Sequence, residues 1–474
     1  MKPIIMKFGG TSVEGPTAFQ TAARIVSERV AQRPVVVVSA MARFTDALLG
    51  SVKEAPKLGA ADALANLDKH FDRHFRVIES LLNRQAPRMR DLVAQSRSDI
   101  SELLEAVEVE GNLSHGRRKG IEDAVVSNGE RLSAALLAAV LSDNNHSARD
   151  VDARRCLITD NNHGSAAPLM DQTVRNTCQQ LQPLLDSATI PVLGGFIGST
   201  IDGETTTLGR GGSDYSAAIF GAALGCDEIQ IWTDVPGVLT ADPRLVPEAH
   251  TVPQLSFAEA AELAYFGAKV LHPKTLQPAI ERNIPVRICN SRNPIGGSTL
   301  VTATTEKSSA GVKAIAHKTG VTTVQITAAR MLGAYGFLRK LFEVFDEHRT
   351  AVDVVTTSEV SVSLSLDDTT SLPAIVDDLK TLGSVSVEEG RAILCVVGEG
   401  LRSTPGIAAR VFSTINDINV SLISQGASRI NLTFAIEEAR VREAVKRLHD
   451  EFFERELKVQ SLGYALEREE QAEA

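Results

Sequence analysis

The stretch Pro3-Ile-Ile-Met-Lys-Phe8, followed by Gly9-Gly10-Thr11-Ser12, reads as a short apolar strand that ends in a glycine turn. Phe19, Ala22, Ala23, Val26 and Val30 follow at helical spacing, and Pro34 then introduces the continuous apolar run Val35 to Val38. A strand that is apolar on both faces belongs to a parallel sheet with helices on either side. The same rhythm returns at Ile190 to Leu193 before Gly194-Gly195, at Glu228 to Trp232 before Thr233-Asp234, and at Ile284 to Cys289. The expectation is a three-layer α/β/α domain. Between about 50 and 110 the pattern changes to polar helix, as in Leu64 to Leu82 and Met89 to Val107, and predicts a helical insertion at one edge of the sheet.

From Gly296 to Ser309 the chain is rich in Thr, Ser and Gly without apolar periodicity, which marks a domain boundary and assigns 1–305 to the first domain. Beyond it two stretches share a pattern. In the first, Gly336 is followed by Phe342, by Val352-Asp353-Val354-Val355 and by the alternating strand Val360 to Leu364; in the second, Gly406 is followed by Phe412, by Val420 to Ile423 and by Ile430 to Phe434. Each reads as a ferredoxin-like βαββαβ unit, spanning 312–390 and 391–466. The acidic end, Glu467 to Ala474, reads as a frayed tail.

The chain has 474 residues, 43% hydrophobic and 23% charged, an ordinary globular balance for two to four domains. Its formal charge of -10 provides no global basic field, which argues against nucleic acid as a partner. No apolar run approaches the roughly 18 residues that cross a bilayer, and no apolar leader follows Met1, so no membrane partner is expected. Five cysteines without a C-x-x-C pair suit free thiols in a reducing cytoplasm.

The common P-loop, G-x-G-x-x-G and H-E-x-x-H signatures are absent; the chain carries strand-end clusters instead. Lys7 beside Gly9, Gly10, Thr11 and Ser12 offers a full charge, close backbone approach and helix-terminal amides, the parts of a phosphate cradle. In Gly209-Arg210-Gly211-Gly212-Ser213-Asp214 the arginine suits a carboxylate and the aspartate an ammonium. Trp232-Thr233-Asp234-Val235-Pro236-Gly237, with Arg244, and Gly267-Ala268-Lys269 add a turn and more cations, and Glu130 follows Asn128-Gly129 as the acid opening a helix from Arg131 to Leu141. Each cluster alone reads equally as a capped turn or a surface charge.

Together, Lys7-Phe-Gly-Gly-Thr-Ser12, Gly209-Arg-Gly-Gly-Ser-Asp214, Trp232-Thr-Asp-Val-Pro-Gly237 and Phe266-Gly-Ala-Lys-Val-Leu-His-Pro273 resemble the aspartate kinases of the amino-acid kinase family over nearly the whole chain, in wording closest to the lysine-sensitive monofunctional type. The resemblance implies an amino-acid-kinase-like catalytic domain followed by two ACT domains, transferring the ATP γ-phosphoryl to the β-carboxylate of L-aspartate. That is the first step of lysine, threonine and methionine biosynthesis. It implies that Lys7 and Asp214 are catalytic and that Gly9, Gly10, Thr11 and Ser12 line the phosphates. Ser39, Thr45, Glu130, Arg210, Ser213 and Asp214 would hold aspartate, and Thr233, Asp234, Arg244 and Lys269 would surround the nucleotide. Mg²⁺ is expected on the ATP phosphates rather than in a protein cage. Leu239 stands where the lysine-sensitive enzymes often carry a tyrosine beside the nucleotide.

In the repeat, Met331, Gly336, Phe337, Leu338, Val352, Asp353, Ser358 and Glu359 match positions that bind lysine as inhibitor, while Ala334 and Ala351 replace serines common there. The resemblance further implies that the first ACT domain is inserted into the second, so that Val312 to His317 pairs with the second, and that the ACT domains join subunits into a homodimer or homotetramer. The competing readings are another amino-acid kinase, acting on glutamate, acetylglutamate, carbamate or a nucleoside monophosphate, and a non-catalytic amino-acid sensor.

Overall fold

The computed structural model describes residues 1–109, 114–267, 273–305, 311–333 and 335–454. The chain divides into two compact units, one of Met1–Val238, Pro253–Phe257 and Val270–Ala303, the other of Leu239–Val252, Ala258–Lys269 and Thr304–Ala474. Lys269 with the rest of 268–272, Ala334 and the acidic tail lie outside the described residues.

In the first unit the chain runs β1 (Ile4–Phe8), α1 (Pro16–Ser27), β2 (Pro34–Val38), α2 (Phe44–Leu58), α3 (Ala60–Ala65), α4 (Asp68–Leu81), α5 (Ala86–Val109) and α6 (His115–Asp143). It continues through β3 (Ala148–Val151), α7 (Met170–Asp186), β4 (Ile190–Gly194), β5 (Ile197–Ser199), β6 (Thr205–Thr207), α8 (Gly212–Leu224), β7 (Glu228–Thr233) and β8 (Gln254–Ser256). There follow α9 (Phe257–Tyr265), which passes into the second unit, α10 (Gln277–Glu281), β9 (Val286–Asn290) and β10 (Thr299–Thr302).

These strands form an eight-stranded sheet in the order β3-β4-β2-β1-β7-β9-β10-β8. It is parallel throughout except for the β9–β10 pair. Every residue of β1, β2 and β4 is buried, which explains why these runs lack polar alternation. One face of the sheet, with Ile4, Met6, Phe8, Val36, Val38 and Val192, shares a core with α1 and α6; α8 packs on β1, β2 and β7.

Helices α2 to α5 pack on one another, and α2, α4 and α5 also pack on α6 and α4 on α1, with Arg88 reaching Asp150 of β3. The insertion is therefore an extra layer over the helices of one face, reaching toward the β3 edge, rather than an appendage beside it. Phe44, Leu48, Phe71, Val93 and Leu104 are buried there, so a segment that looks polar in sequence still supplies one apolar stripe per helix.

Helix α6 also departs from expectation. The spacing predicts that Glu130 opens a helix, but it sits in the middle of a 29-residue one. Asn128-Gly129 does not break the helix because tertiary packing requires the glycine: a Cβ at Gly129 would lie 2.7 Å from that of Ala40. By length and composition alone α6 could cross a membrane, but 89% of its most apolar window is buried inside the protein, as suits a core helix.

The second unit adds β11 (Ala314–Thr327), α11 (Phe337–Glu347), β12 (Val355–Thr357), β13 (Ser361–Leu366), α12 (Leu372–Lys380), β14 (Ser384–Val397), α13 (Ile407–Thr414), β15 (Val420–Gln425), β16 (Asn431–Glu437) and α14 (Val441–His449). One antiparallel six-stranded sheet, β12-β13-β11-β14-β16-β15, unites the repeat. The 14-residue strands β11 and β14 run through both halves. Thr322–Thr327 pairs with β13, whereas Ala314–Lys318 pairs with Ile393–Val397 of β14, which continues to β16. The ladder shifts register between Lys318 and Val321, where Gly320 takes a φ of +70°. Separate cores lie under the two halves, one around Leu341, Phe345 and Ile375, the other around Val411, Phe434 and Leu448.

Candidate active site

Parallel strands deliver their carboxyl ends to one rim of the sheet, and β1, β2, β4 and β7 bring Lys7, Ser39, Gly194-Gly195 and Thr233 there. Lys7 is the penultimate residue of the central strand β1 and only 8% exposed. Its Nζ lies 2.7 Å from Oδ1 of Asp214, in the first turn of α8, where a helix N-terminus favours an acid. Two residues far apart in the chain thus form one half-buried ion pair.

The glycines around this pair are places where backbone meets backbone. A Cβ at Gly10 would stand 2.8 Å from the carbonyl oxygen of Ala40, and one at Gly195 2.8 Å from Ser213 Cα. At Gly9 a Cβ would make only ordinary contacts, 3.6 Å from the Trp232 carbonyl oxygen and 3.7 Å from Lys7 Nζ. Gly209 and Gly211, with φ of +75° and +74°, flank Arg210, whose side chain is exposed on the loop before α8.

Two of the expected phosphate-lining groups are engaged elsewhere. The N–H of Gly9 donates to the carbonyl of Trp232, extending the parallel ladder, and a 3₁₀ turn over Gly10–Val13 separates it from α1. Ser12 is buried, with its hydroxyl 2.7 Å from that of Ser291 and donating to the Trp232 carbonyl. Ser12 therefore locks the β1 turn to β7 and β9. Thr11 stays half-buried in the turn, and Ser39 and Thr45 are half-buried beyond the end of β2.

Glu130 is 3% exposed, and Oε2 of its carboxyl has no hydrogen-bond partner. Burial pushes its pKa up to about 8, against partial relief from the backbone of Ala40. A Cβ at Gly194 would lie 2.9 Å from that of Glu130, so the end of β4 touches α6 at this acid.

Seven residues earlier on the same face of α6 is Asp123, a group that sequence reasoning missed. Asp123 is 2% exposed and accepts from the Thr207 hydroxyl at 2.5 Å and the Gly164 N–H at 2.9 Å, with His163 Nδ1 at 3.0 Å. It ties β6 and the 160–168 loop to α6 just ahead of the Arg210 loop. Burial raises its pKa, and these hydrogen bonds pull it back. Its spacing of two helical turns from Glu130 on one helix was the available signal.

Thr233 ends β7 and Asp234 follows it, with the Thr233 hydroxyl donating to Asp234 at 3.3 Å. Arg244 belongs to the second unit, where its exposed guanidinium grips Asp242.

Among the positions expected to hold an inhibitor, Gly336 caps α11, Phe337 enters the core beneath it, and Met331 and Val352 pack against that core. Leu338 and Glu359 are exposed, and Ser358 is held 2.7 Å from Ser361. Asp353 is occupied. Its carboxylate accepts from Lys318 Nζ at 2.9 Å and from the Tyr265 hydroxyl, and Lys318 also reaches Asp367 at 2.6 Å.

Comparison with known proteins shows the family. The amino acid kinase family profile matches residues 2–290, and an ACT domain profile matches 394–452. Chloroplastic aspartokinase 3 of Arabidopsis thaliana is 38% identical over 95% of this chain and 81% of its own length. Lysine-sensitive aspartokinase 3 of Escherichia coli is 36% identical over 95% of this chain and 99% of its own. The crystal structure of E. coli aspartokinase III with aspartate and ADP, described as the R-state, superposes with a TM-score of 0.79, covering 95% of this chain and all of that one at 36% identity. The T-state of the same enzyme, with lysine and aspartate, also gives 0.79 and covers 96% of this chain. The parallel sheet with its Lys7 rim and the profile match over most of the chain define the class: the chain belongs to the amino acid kinase family. Within that family it is one of the aspartokinases.

Proposed function

We propose that the strand-end site transfers the γ-phosphoryl group of ATP to the β-carboxylate of L-aspartate, giving 4-phospho-L-aspartate. The observation that carries this reading is the half-buried Lys7–Asp214 ion pair at the carboxyl end of β1. An aspartate side chain free in water titrates near pH ~3.9, so the substrate carboxylate is ionised at neutral pH and needs no general base. The difficulty is bringing it against a phosphate of like charge, so catalysis rests on position and positive electrostatics. Lys7 neutralises the transferring group, held in place by Asp214. The orphaned Oε2 of Glu130 receives the substrate ammonium, and Arg210 takes its α-carboxylate by a two-pronged contact. Mg²⁺ on the phosphate oxygens adds further neutralising charge. Thr233 and Asp234, at the end of β7, serve the nucleotide.

In the second unit, 312–390 and 391–466 act as two ACT domains, the first inserted into the second, and lysine inhibits through the site at Asp353. The pairing of Ala314–Lys318 with Ile393–Val397 supports this division. Leu332, Tyr335, Leu338, Phe342 and Val360 expose apolar side chains on and around α11, a surface suited to pairing subunits. A reducing cytoplasm suits the five free thiols.

Acyl phosphate trapped with hydroxylamine tests the reading. ATP-dependent product with aspartate and none with glutamate, suppressed by lysine, is expected. Aspartate turnover no higher than the glutamate background would overturn it.

A further inference from the structure

Away from the catalytic rim, the 239–252 excursion packs into the core of the second repeat through Ala241 and Val246. Thr240, 2% exposed, anchors both ends of this loop: its N–H donates to the His250 carbonyl, and its hydroxyl accepts the His250 N–H at 3.1 Å. The same hydroxyl lies 2.9 Å from Nε2 of His449, the last residue of α14. His449 is fully buried, and its other ring nitrogen, Nδ1, has no partner. A single turn of π-helix, Asp450–Glu454, follows α14, and its five-residue step returns Glu454 to the neighbourhood of His449. His250, His449 and Glu454 each offer one donor atom, all within 4.8 Å of one another. Phe453 closes over both imidazoles, with ring centroids 5.9 Å from His250 and 4.9 Å from His449.

We propose that His250, His449 and Glu454 bind a divalent first-row transition ion of the zinc class, pinning the 239–252 loop to the end of α14. In metal-binding histidines the second ring nitrogen is usually oriented by an oxygen partner, and His449 has Nε2 on the Thr240 hydroxyl with Nδ1 unsatisfied. Donation from Nε2 to Thr240 leaves the lone pair on Nδ1. Tetrahedral zinc, with bonds of about 2.0–2.2 Å, needs donors about 3.5 Å apart; exposed His250 and half-exposed Glu454 reach this by side-chain rotation. Two imidazoles and one carboxylate select zinc, cobalt or nickel over magnesium, which demands oxygen ligands, so the site is chemically separate from the Mg²⁺ of ATP. Glu248 and Asp450 add negative field around His449. The fourth position is left for water.

Cobalt(II) titration of the chelator-treated full-length protein tests this by visible absorbance. One Co²⁺ per chain, with intense bands abolished by Zn²⁺ and untouched by Mg²⁺, is expected. His250→Ala and Glu454→Gln, both outside the core, should each weaken binding at least tenfold with an unchanged melting midpoint in metal-free buffer. As a second measurement, equimolar Zn²⁺ should raise the wild-type midpoint while Mg²⁺ does not. Failure of the wild type to bind Co²⁺ stoichiometrically, or equal affinity in both variants, would overturn the site.

Discussion

Lys7 and Asp214 gain their meaning from each other. Lys7→Met removes the positive charge from the phosphoryl path and should lower kcat by about 10²–10³-fold, the usual loss when one preorganised electrostatic contact is removed. Asp214→Asn should leave the fold intact and lower kcat through a misplaced Lys7; an unchanged kcat in steady-state kinetics would show that the pair is only structural. Glu130 makes a separate prediction. Its pKa is raised in the folded chain, from an ordinary 4.5 to about 8, so the native state holds a proton that the unfolded state has released across that interval. The folded protein therefore loses stability from this group as pH rises from about 4.5 to about 8, and the loss levels off above that. Glu130→Gln should flatten this part of the pH profile of denaturation midpoints, and in the wild type aspartate binding near pH 7 should release a proton measurable by calorimetry in buffers of different ionisation enthalpy. Ser12 shows the limit of reading by type: its hydroxyl sits in the expected cluster yet locks β1 to β7.

Elements are legible where apolar runs are continuous. The strands β1, β2, β4 and β7 can be read because burial on both faces removes polar residues. Helix α6 reads as starting late, because a glycine after an asparagine usually marks a break, and only the approach of Ala40 explains why this one does not. Gly129→Ala would push a Cβ to 2.7 Å from that of Ala40, and should cost about 1–3 kcal/mol by overpacking, visible in a urea midpoint. Strand β11 carries the other lesson. Lys318 already holds Asp353 with an ammonium of its own, the chemistry that a lysine inhibitor would bring. Lys318→Met should leave that carboxylate without its ammonium partner and lower the lysine concentration for half-inhibition by roughly tenfold, within the usual range of allosteric coupling. An unchanged inhibition curve would remove Asp353 from the effector site.

On the scale of the whole molecule, two ferredoxin-like patterns in sequence become one six-stranded sheet, because β11 and β14 are long enough to serve both. Ala316, paired with Cys395, lies in the half of β11 that completes the second repeat. Ala316→Pro removes a ladder donor there and should lower the unfolding midpoint of the second unit in calorimetry; no shift would mean that this half is dispensable. The amino-acid sequence by itself determined the α/β class, the change of rhythm after residue 296 and the family, because periodicity and short motifs are local properties of the chain. Tertiary structure alone decided which groups meet: Lys7 with Asp214, Glu130 with the end of β4, Lys318 with Asp353, and His250 with His449. Those meetings depend on strand order, close glycine contacts and a π-turn, none of which is written in the spacing of residues along the chain.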